Sequence, residues 1–412
     1  MTNPLRPRHR RNATVTVLAA GLIMAGCGSS AKSTSTATTA PTAAATTAAA
    51  AATTTAATSA AGTTTAGTVA AATTAAASTD IKAQVDSLLA GKLEFPQAPG
   101  PVTPGTHKAA VVTAGLASPG PVAVANAIKE AFGVIGWTAP DAYDGKFSPT
   151  EQSALIQKAV QDKVDVIFLV AITPSAVASA VSAAQTAKIP LICVLCGPTL
   201  PAGVIGVEAD PVLSGDAAAF YAVANSGPTA TIVVYQNTQF ASSTAQSAEA
   251  AKKVKELCPG CTVETPSLLL ADASKPNAPL LTSLLNDHKA GKLDFVIMPF
   301  DTPSGALSTT ASQLGRSDFG IIGYGALPPF VNMVGAGTPV NAKASVTIST
   351  PYFGWVAVDE AIRVLAGQPT WAADKMPSGL ITKDNFSTYP AGAPYVAPQF
   401  DYKAQLTKLW GK

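Results

Sequence analysis

The chain has 412 residues, of which 47% are hydrophobic and only 13% charged, with 27 Lys and Arg against 25 Asp and Glu. So even a balance carries no basic field for nucleic acid or for an anionic membrane surface. The first residues stand apart: Arg6, Arg8, Arg10 and Arg11 precede an apolar run over 13–26 that only Thr14 and Thr16 interrupt. That run falls short of the roughly twenty apolar residues a spanning helix needs. A basic start, a short apolar stretch and small residues before the break describe a secretory signal over 1–26. Its removal takes the 27 basic residues to 23 against 25 acidic, formally −2.

The signal ends in "LIMAGCGSS", and small residues directly before Cys27 resemble the lipobox of bacterial lipoproteins. The resemblance implies cleavage before Cys27, lipidation of that cysteine and attachment to the membrane by acyl chains, more than one of which is needed for stable anchoring. Almost pure Ala, Thr and Ser follow over 27–79, with Lys32 as the one charge and no aromatic residue. Such a segment cannot bury enough apolar surface to offset the entropy of ordering, and it reads as a disordered tether. Residues 80–105 read as a linker.

From Thr106 onward strand-like and helix-like segments alternate. "KAAVVTAG" is an apolar run ending in Gly, and "VANAIKEAFGVIGW" has helical spacing. "VDVIFLVAI" is apolar throughout, as a parallel strand covered on both faces should be. "TPSAVASAVSAAQTAK" reads as one helix with Thr173 as N-cap and Pro174 at its first position. "IPLICVL", "TATIVVYQ", "CTVETPSLLL", "LDFVIMPF" and "FGIIGYG" continue the strands, with helices between them, one of them ending at Leu257 and another starting after Asp301. Strands alternating with helices imply parallel sheets with right-handed crossovers, an α/β fold.

The stretch from "GW" at 136–137 through "DGKFSPTEQSALIQKAVQDKVDVIFLVAITPSAVASAVSAAQTAKIPLI" resembles the first lobe of type I periplasmic binding proteins, the ribose- and galactose-binding class. "LDFVIMPFDTPSGALS", "FGIIGYGA" and "VTISTPYFGWVAVDEAIRVLAGQ" match the second half in order, so the likeness runs from about Thr106 to Phe386. It implies two Rossmann-like lobes joined by a three-crossing hinge, with crossings near Glu208–Asp210, Ser349–Thr350 and Gly379–Thr382. The lobes then comprise 106–209 with 350–380, and 210–349 with 381–412, the C-terminal stretch being an extension beyond the matched core.

Catalytic patterns are lacking. Only His107 and His288 lie outside the signal, neither beside a nucleophile, and there is no G-x-S-x-G, P-loop or H-E-x-x-H. No metal and no cofactor are expected. Cys193 with Cys196 and Cys258 with Cys261 form two C-x-x-C pairs, a spacing that also suits zinc. Export favours two local disulfides, with Pro259 and Gly260 making the turn that joins the second pair. Ligands of open α/β sheets bind beyond the carboxyl ends of the strands. On that rule the candidate ligand contacts are Thr113, Ser118, Tyr143, Asp144, Thr173, Cys196, Asn237, Phe240, Phe300, Asp301, Tyr324, Tyr352 and Trp355. Asp301 is the clearest polar candidate and equally suits the N-cap of the helix it starts.

The departures from the sugar-binding pattern bear on the ligand. Leu195 and Cys196 stand where a polar pair is usual, Gly325 stands where an Asp is usual, and only Arg316 and Arg363 remain outside the signal. Sugars need charged and planar hydrogen-bonding groups because each buried hydroxyl must be satisfied. The expected ligand therefore has a substantial apolar surface and few hydrogen bonds, one of them to Asp301. Together these features predict a monomeric, lipid-anchored extracytoplasmic protein that binds a small molecule for the permease of an ABC-type importer, or a ligand-sensing surface receptor without transport. Mass spectrometry of membrane-extracted protein is expected to find an acylated N-terminal cysteine at position 27, and Cys27→Ala to release the protein from the membrane. Equal membrane retention of that variant would refute the anchor.

Overall fold

β3 (Val166–Val170) is buried at all five positions, and its neighbours β1 (Ala109–Thr113) and β4 (Leu191–Val194) are equally covered. A strand with apolar residues on both faces needs helices on both faces, which is what parallel pairing with crossover helices provides. In the computed structural model, which describes residues 80–389 and 401–412 apart from Lys92 and Ala372, these strands join β2 (Tyr143–Asp144) and β5 (Val204–Val207) in a parallel sheet of order β2-β1-β3-β4-β5. The signal, Cys27 and the tether expected over 27–79 lie outside the described residues.

A second sheet has the order β11-β10-β9-β8-β6-β7, built from β6 (Thr231–Val234), β7 (Thr262–Glu264), β8 (Phe295–Ile297), β9 (Gly320–Tyr324), β10 (Ala342–Val346) and β11 (Leu380–Thr382). Only β11 runs antiparallel. The two sheets, each with its own core, are the two lobes of an α/β protein. Among the described residues no helix is long and apolar enough to cross a membrane.

Local chemistry sets the helices. α2 (Pro119–Ile135) starts with Pro119 at its first position and stops at Gly136, whose φ of 76° is the left-handed conformation that a helix end requires. α3 (Pro149–Gln161) is capped by the Ser148 hydroxyl and buries Gln152, Ile156 and Ala159 along one face. The single helix read over 173–188 is instead a 3-10 turn, Pro174–Val177, followed by α4 (Ala178–Thr186). The break falls at Val177, whose φ of −124° leaves the helical region, and Thr173 makes no side-chain cap bond. The chain then runs through α5 (Pro211–Ala224), α6 (Ala241–Leu257), α7 (Leu270–Ala273), α8 (Pro279–Asp287), α9 (Asp301–Gln313), α10 (Phe330–Ala336) and α11 (Thr350–Leu365). Both C-x-x-C pairs are disulfides, with Cα separations of 5.7 Å for Cys193–Cys196 and 5.4 Å for Cys258–Cys261. The Cys261 N–H donates to the Cys258 carbonyl across the Pro259-Gly260 turn.

Three passages of chain between the lobes are tied side by side. Met376 N donates to the Glu208 carbonyl, Asp210 N donates to the Met376 carbonyl, and Thr347 N donates to the Gly379 carbonyl. Gly379 N in turn donates to the Thr347 hydroxyl at 2.7 Å.

Two expectations about the ends of the chain need correction. The segment 80–105 is a packed part of the fold. A helix over 80–89 (α1) buries Ile81 and Val85, and its Leu88 and Leu89 pack on the second lobe. Phe95 and Val102 then enter the core of the first lobe, and Arg363 donates to the Gly100 carbonyl. Apolar residues at 81, 85, 88 and 89 share one helix face, the spacing a linker would lack. The C-terminal helix α12 (Tyr402–Leu409) belongs with the first lobe: Tyr402, Leu406 and Trp410 sit in its core. The Trp410 ring stacks on Trp355 at 5.3 Å, and its indole N–H donates to the buried Asp359 carboxylate, which also holds Arg363. Trp410→Ala removes the stacking surface and that bond together, and is expected to lower stability by about 3–5 kcal/mol in urea unfolding. A change below 1 kcal/mol would show that α12 is a passive tail.

Candidate functional site

The two sheets turn their strand ends toward each other, and a cleft of about 750 Å³, open mouth included, lies between them. The space enclosed within it is about 90 Å³, below the roughly 300–1,000 Å³ common for small-molecule sites, because the lobes touch across it. The starts of α2, α5, α6, α9 and α11 converge on it. The first lobe contributes Ser118, Pro119 and Leu195; the second contributes Phe240, Ser242, Ser243, Gln246, Phe300 and Tyr324; the crossings contribute Glu208, Ala209, Ile348 and Thr350. Among the described residues that line it there is no Arg, Lys or His.

The lobes meet across this cleft. The Ser242 hydroxyl donates to the Leu195 carbonyl at 3.4 Å. A Cβ at Gly197, whose φ is 102°, would run into the Cβ of Ala241, so only glycine allows this approach. Phe240 at the start of α6 packs edge-on against Phe147 of the first lobe and Phe300 of the second, with ring centroids 6.0 and 5.9 Å apart.

Of the residues expected from sequence, Ser118, Phe240, Phe300 and Tyr324 line the cleft. The rest are brought elsewhere. Thr113 is buried in β1, its hydroxyl bonded to the Tyr143 carbonyl. Tyr143 lies under the Lys158 ammonium at 5.8 Å. Asp144 accepts from the Leu116 and Lys146 amides, bonds that hold its carboxyl below the usual range and shape its loop. Thr173 sits ahead of the 3-10 turn without lining the cleft. Cys196 is buried in its disulfide. Asn237 is fully buried and accepts from the amides of Gln239 and Phe240, so it sets the turn that presents Phe240. Tyr352 packs edge-on to Phe95 and Tyr402, and Trp355 stacks on Trp410. These two rings anchor the chain ends to the first lobe and do not line the cleft.

Asp301 is the main correction. It is the first residue of α9, and Phe300 holds the N-cap position. The carboxylate turns inward over Gly323, where a Cβ would overlap it. It accepts from the Leu327 amide at 2.6 Å and from the Ser345 hydroxyl at 2.9 Å. Burial pushes its pKa well above the usual carboxylate range, against those two hydrogen bonds. Asp301 therefore braces the turn carrying Gly325 and Leu327, and neither caps its helix nor reaches the cleft.

The residue that sequence reading placed only at a crossing is Glu208. It is 3% exposed and lines the cleft. One carboxyl oxygen accepts from the Gly197 amide at 2.7 Å and the other from the Ala209 amide at 3.2 Å. Burial pushes it up to about 8, with the two backbone bonds opposing. An acid directly after the strand "VIGV" and before an Asp-Pro helix start was the available signal. Three cleft hydroxyls, those of Ser243, Tyr324 and Thr350, are buried with no hydrogen-bond partner. Buried polar groups are almost always paired, so three orphans around one space mark where a bound molecule would complete them.

A family profile described as a periplasmic binding protein domain matches residues 109–369. No curated protein is a sequence match. Among solved structures, an ABC sugar transporter subunit from Rhodobacter sphaeroides is 22% identical with a TM-score of 0.60, over 68% of this chain and 98% of its own. A solute-binding protein from Mycobacterium smegmatis with bound glycerol is 20% identical with a TM-score of 0.61, over 71% of this chain and 100% of its own. The Caulobacter myo-inositol binding protein is 19% identical with a TM-score of 0.61, over 68% of this chain and 94% of its own.

Because its partners are neutral, Asp301 gives a pH signature. Its folded pKa is raised, so the folded state holds a proton that the unfolded chain has lost above about pH 4. Its contribution to stability is present at low pH and falls as pH rises toward the raised value. Asp301→Asn is expected to abolish that part of the decline in a series of urea titrations. An unchanged slope would place the titration elsewhere.

Proposed function

The chain belongs to the periplasmic binding protein domain family, and from that premise we propose that it is an extracytoplasmic solute-binding protein, lipid-anchored at Cys27, that delivers a small molecule to the permease of an ABC-type importer. The observation that carries the reading is the cleft with its three buried, unpartnered hydroxyls, shared between two lobes that pivot on tied crossings. Contacts from both lobes form together only when the cleft is shut, so ligand binding stabilises the closed form. It acts as a monomer, and it binds without transforming its ligand.

The ligand class follows from what lines the cleft. Phe240, Phe300, Leu195, Leu327 and Ile348 offer apolar surface, and Glu208 is the one charged side chain among the described residues that line it. Glycerol and myo-inositol are bound by the Mycobacterium and Caulobacter proteins. A hydroxyl-rich ligand gains most from charge-assisted partners, of which Glu208 is the one among the described lining residues, whereas a ring or chain with few polar groups makes full use of the apolar surface.

Two measurements test the proposal. A thermal-shift screen over polyols, monosaccharides, aromatic acids and amines is expected to raise the melting temperature for a compound with a substantial apolar surface. Small-angle scattering is expected to show a smaller radius of gyration at saturation than in the free protein. An unchanged radius would point to a rigid receptor, and selective binding of a simple monosaccharide would overturn the ligand class.

A further inference from the structure

The cleft holds one carboxyl group and no cation to match it. Resting on the reading that this cleft captures a small molecule, we infer that the ligand is an organic ammonium ion: a protonated amine carried on an apolar ring or chain, its N–H groups received by Glu208 and its carbon frame by Phe240 and Phe300.

Four observations lead there. First, Glu208 is buried with both oxygens already serving as acceptors toward Gly197 and Ala209. Two amide donors orient a carboxylate, and the lone pairs they leave are suited to further donors. Second, no charged group among the described residues acts on it. Asp210, two residues on, is turned to the amides of Val212 and Leu213. Asp374, on the neighbouring crossing, lies against Gly206, and Tyr324 across the cleft is neutral. Only burial and the two backbone bonds shift Glu208. A buried carboxylate is costly unless it is paired, so the missing partner is left to the ligand.

Third, the helix starts around the cleft supply few backbone donors. Gln246 gives one of its two N–H groups to the Pro299 carbonyl, and its amide oxygen remains an acceptor. Prolines occupy the first or second position of α2, α5 and α11 at the cleft edge, and proline has no N–H to give. An anionic ligand would meet hydroxyls but no cation among the described lining residues, and few helix-start amides. Fourth, the rings of Phe240 and Phe300 line the same cleft as the acid, and aromatic faces attract cations, more strongly in a dry site.

The protons balance simply. Burial keeps Glu208 protonated at neutral pH in the empty cleft. The ammonium stabilises the carboxylate, so binding releases that proton to solvent while the amine keeps its own. Affinity should therefore rise with pH until Glu208 is ionised unaided, near pH 8.

The test uses the full-length protein with 2-phenylethylamine and its neutral counterpart 2-phenylethanol as probes. The amine is expected to raise the melting temperature and the alcohol to leave it nearly unchanged. Titration calorimetry should show binding that tightens by about tenfold per pH unit between pH 6 and 8, the limit set by one group titrating. Heats measured in two buffers of different ionisation enthalpy should show nearly one proton released at pH 7. Glu208→Gln, its fold checked by circular dichroism, should weaken the amine about a hundredfold at pH 8, as loss of a buried charge partner does, and abolish the pH slope. The wild-type pH profile needs no variant and stands if Glu208→Gln fails to fold. Equal binding of alcohol and amine, no response to the amine, or a flat pH profile overturns the ammonium assignment. Tight binding of myo-inositol that Glu208→Gln leaves intact also overturns it, while solute capture stands. Solute capture itself falls only if no small molecule of any class compacts the protein in scattering.

Discussion

The backbone pairing of Glu208 and Asp210 with Met376, with the Thr347–Gly379 bonds beside it, is the constraint on which the rest of the molecule turns. Each lobe has a parallel sheet with its own core, and neither sheet shares a strand with the other. Short passages of chain, three of them tied by hydrogen bonds, therefore carry the link. Paired by hydrogen bonds, they resist shear while still allowing small dihedral changes on either side, which is how hinges work. Glu208 sits on that axis. Groups near a rotation axis move least, so Glu208 would keep its place in a hinge motion about these passages. Ser242, Ser243 and Phe240, on the second lobe, travel with it. Contact with Glu208 would select a ligand in any state of the cleft, and contact with the start of α6 would reward closure.

The same geometry explains a chemical bias. Helices that follow strands in an open sheet begin at the cleft, and a helix start normally supplies free N–H groups and the positive end of a dipole. Here the starts of α2, α5 and α11 carry proline, and α9 has Pro303 in its first turn. Each proline deletes one donor without disturbing a helix. The carboxyl of Asp210 occupies two more donors at α5. What remains is concentrated at α6, whose first turn holds Ser242 and Ser243. A site assembled from helix starts has thus been stripped of much of its usual preference for anions.

The fold was legible in the sequence because parallel strands covered on both faces are written as unbroken apolar runs, and "VDVIFLVAI" and "FGIIGYG" are of that kind. The site was half legible. The rule that strand ends face the ligand found Ser118, Phe240, Phe300 and Tyr324. It fixes where a backbone goes and not where a side chain turns, and Asp301 shows the difference. Its carboxylate turns away from the cleft because Gly323, on the adjoining strand, lacks the Cβ that would exclude it. Tyr352 and Trp355 were misplaced for a longer-range reason. Their partners Phe95, Tyr402 and Trp410 come from stretches outside the matched family region, so nothing near α11 in sequence announced them.

Those outer stretches also change the mechanics. α1 rests on the second lobe, with the Asn385 side-chain amide donating to the Leu89 carbonyl. A few residues later Phe95 and Val102 are built into the first lobe, where Val102 N donates to the Leu409 carbonyl of α12. The chain between 89 and 95 is therefore a fourth link between lobes, lying beside the hinge, since Leu93 reaches Gly379. A link this close to the axis lengthens little for a small rotation, so it permits opening. A large rotation would have to extend it or strip α1 from Asn385. A short strap near the axis thus sets an upper limit on opening while leaving the first degrees of motion free. Among the described residues α1 is also the first element from the N-terminal side, so that a pull on it loads the second lobe before the first.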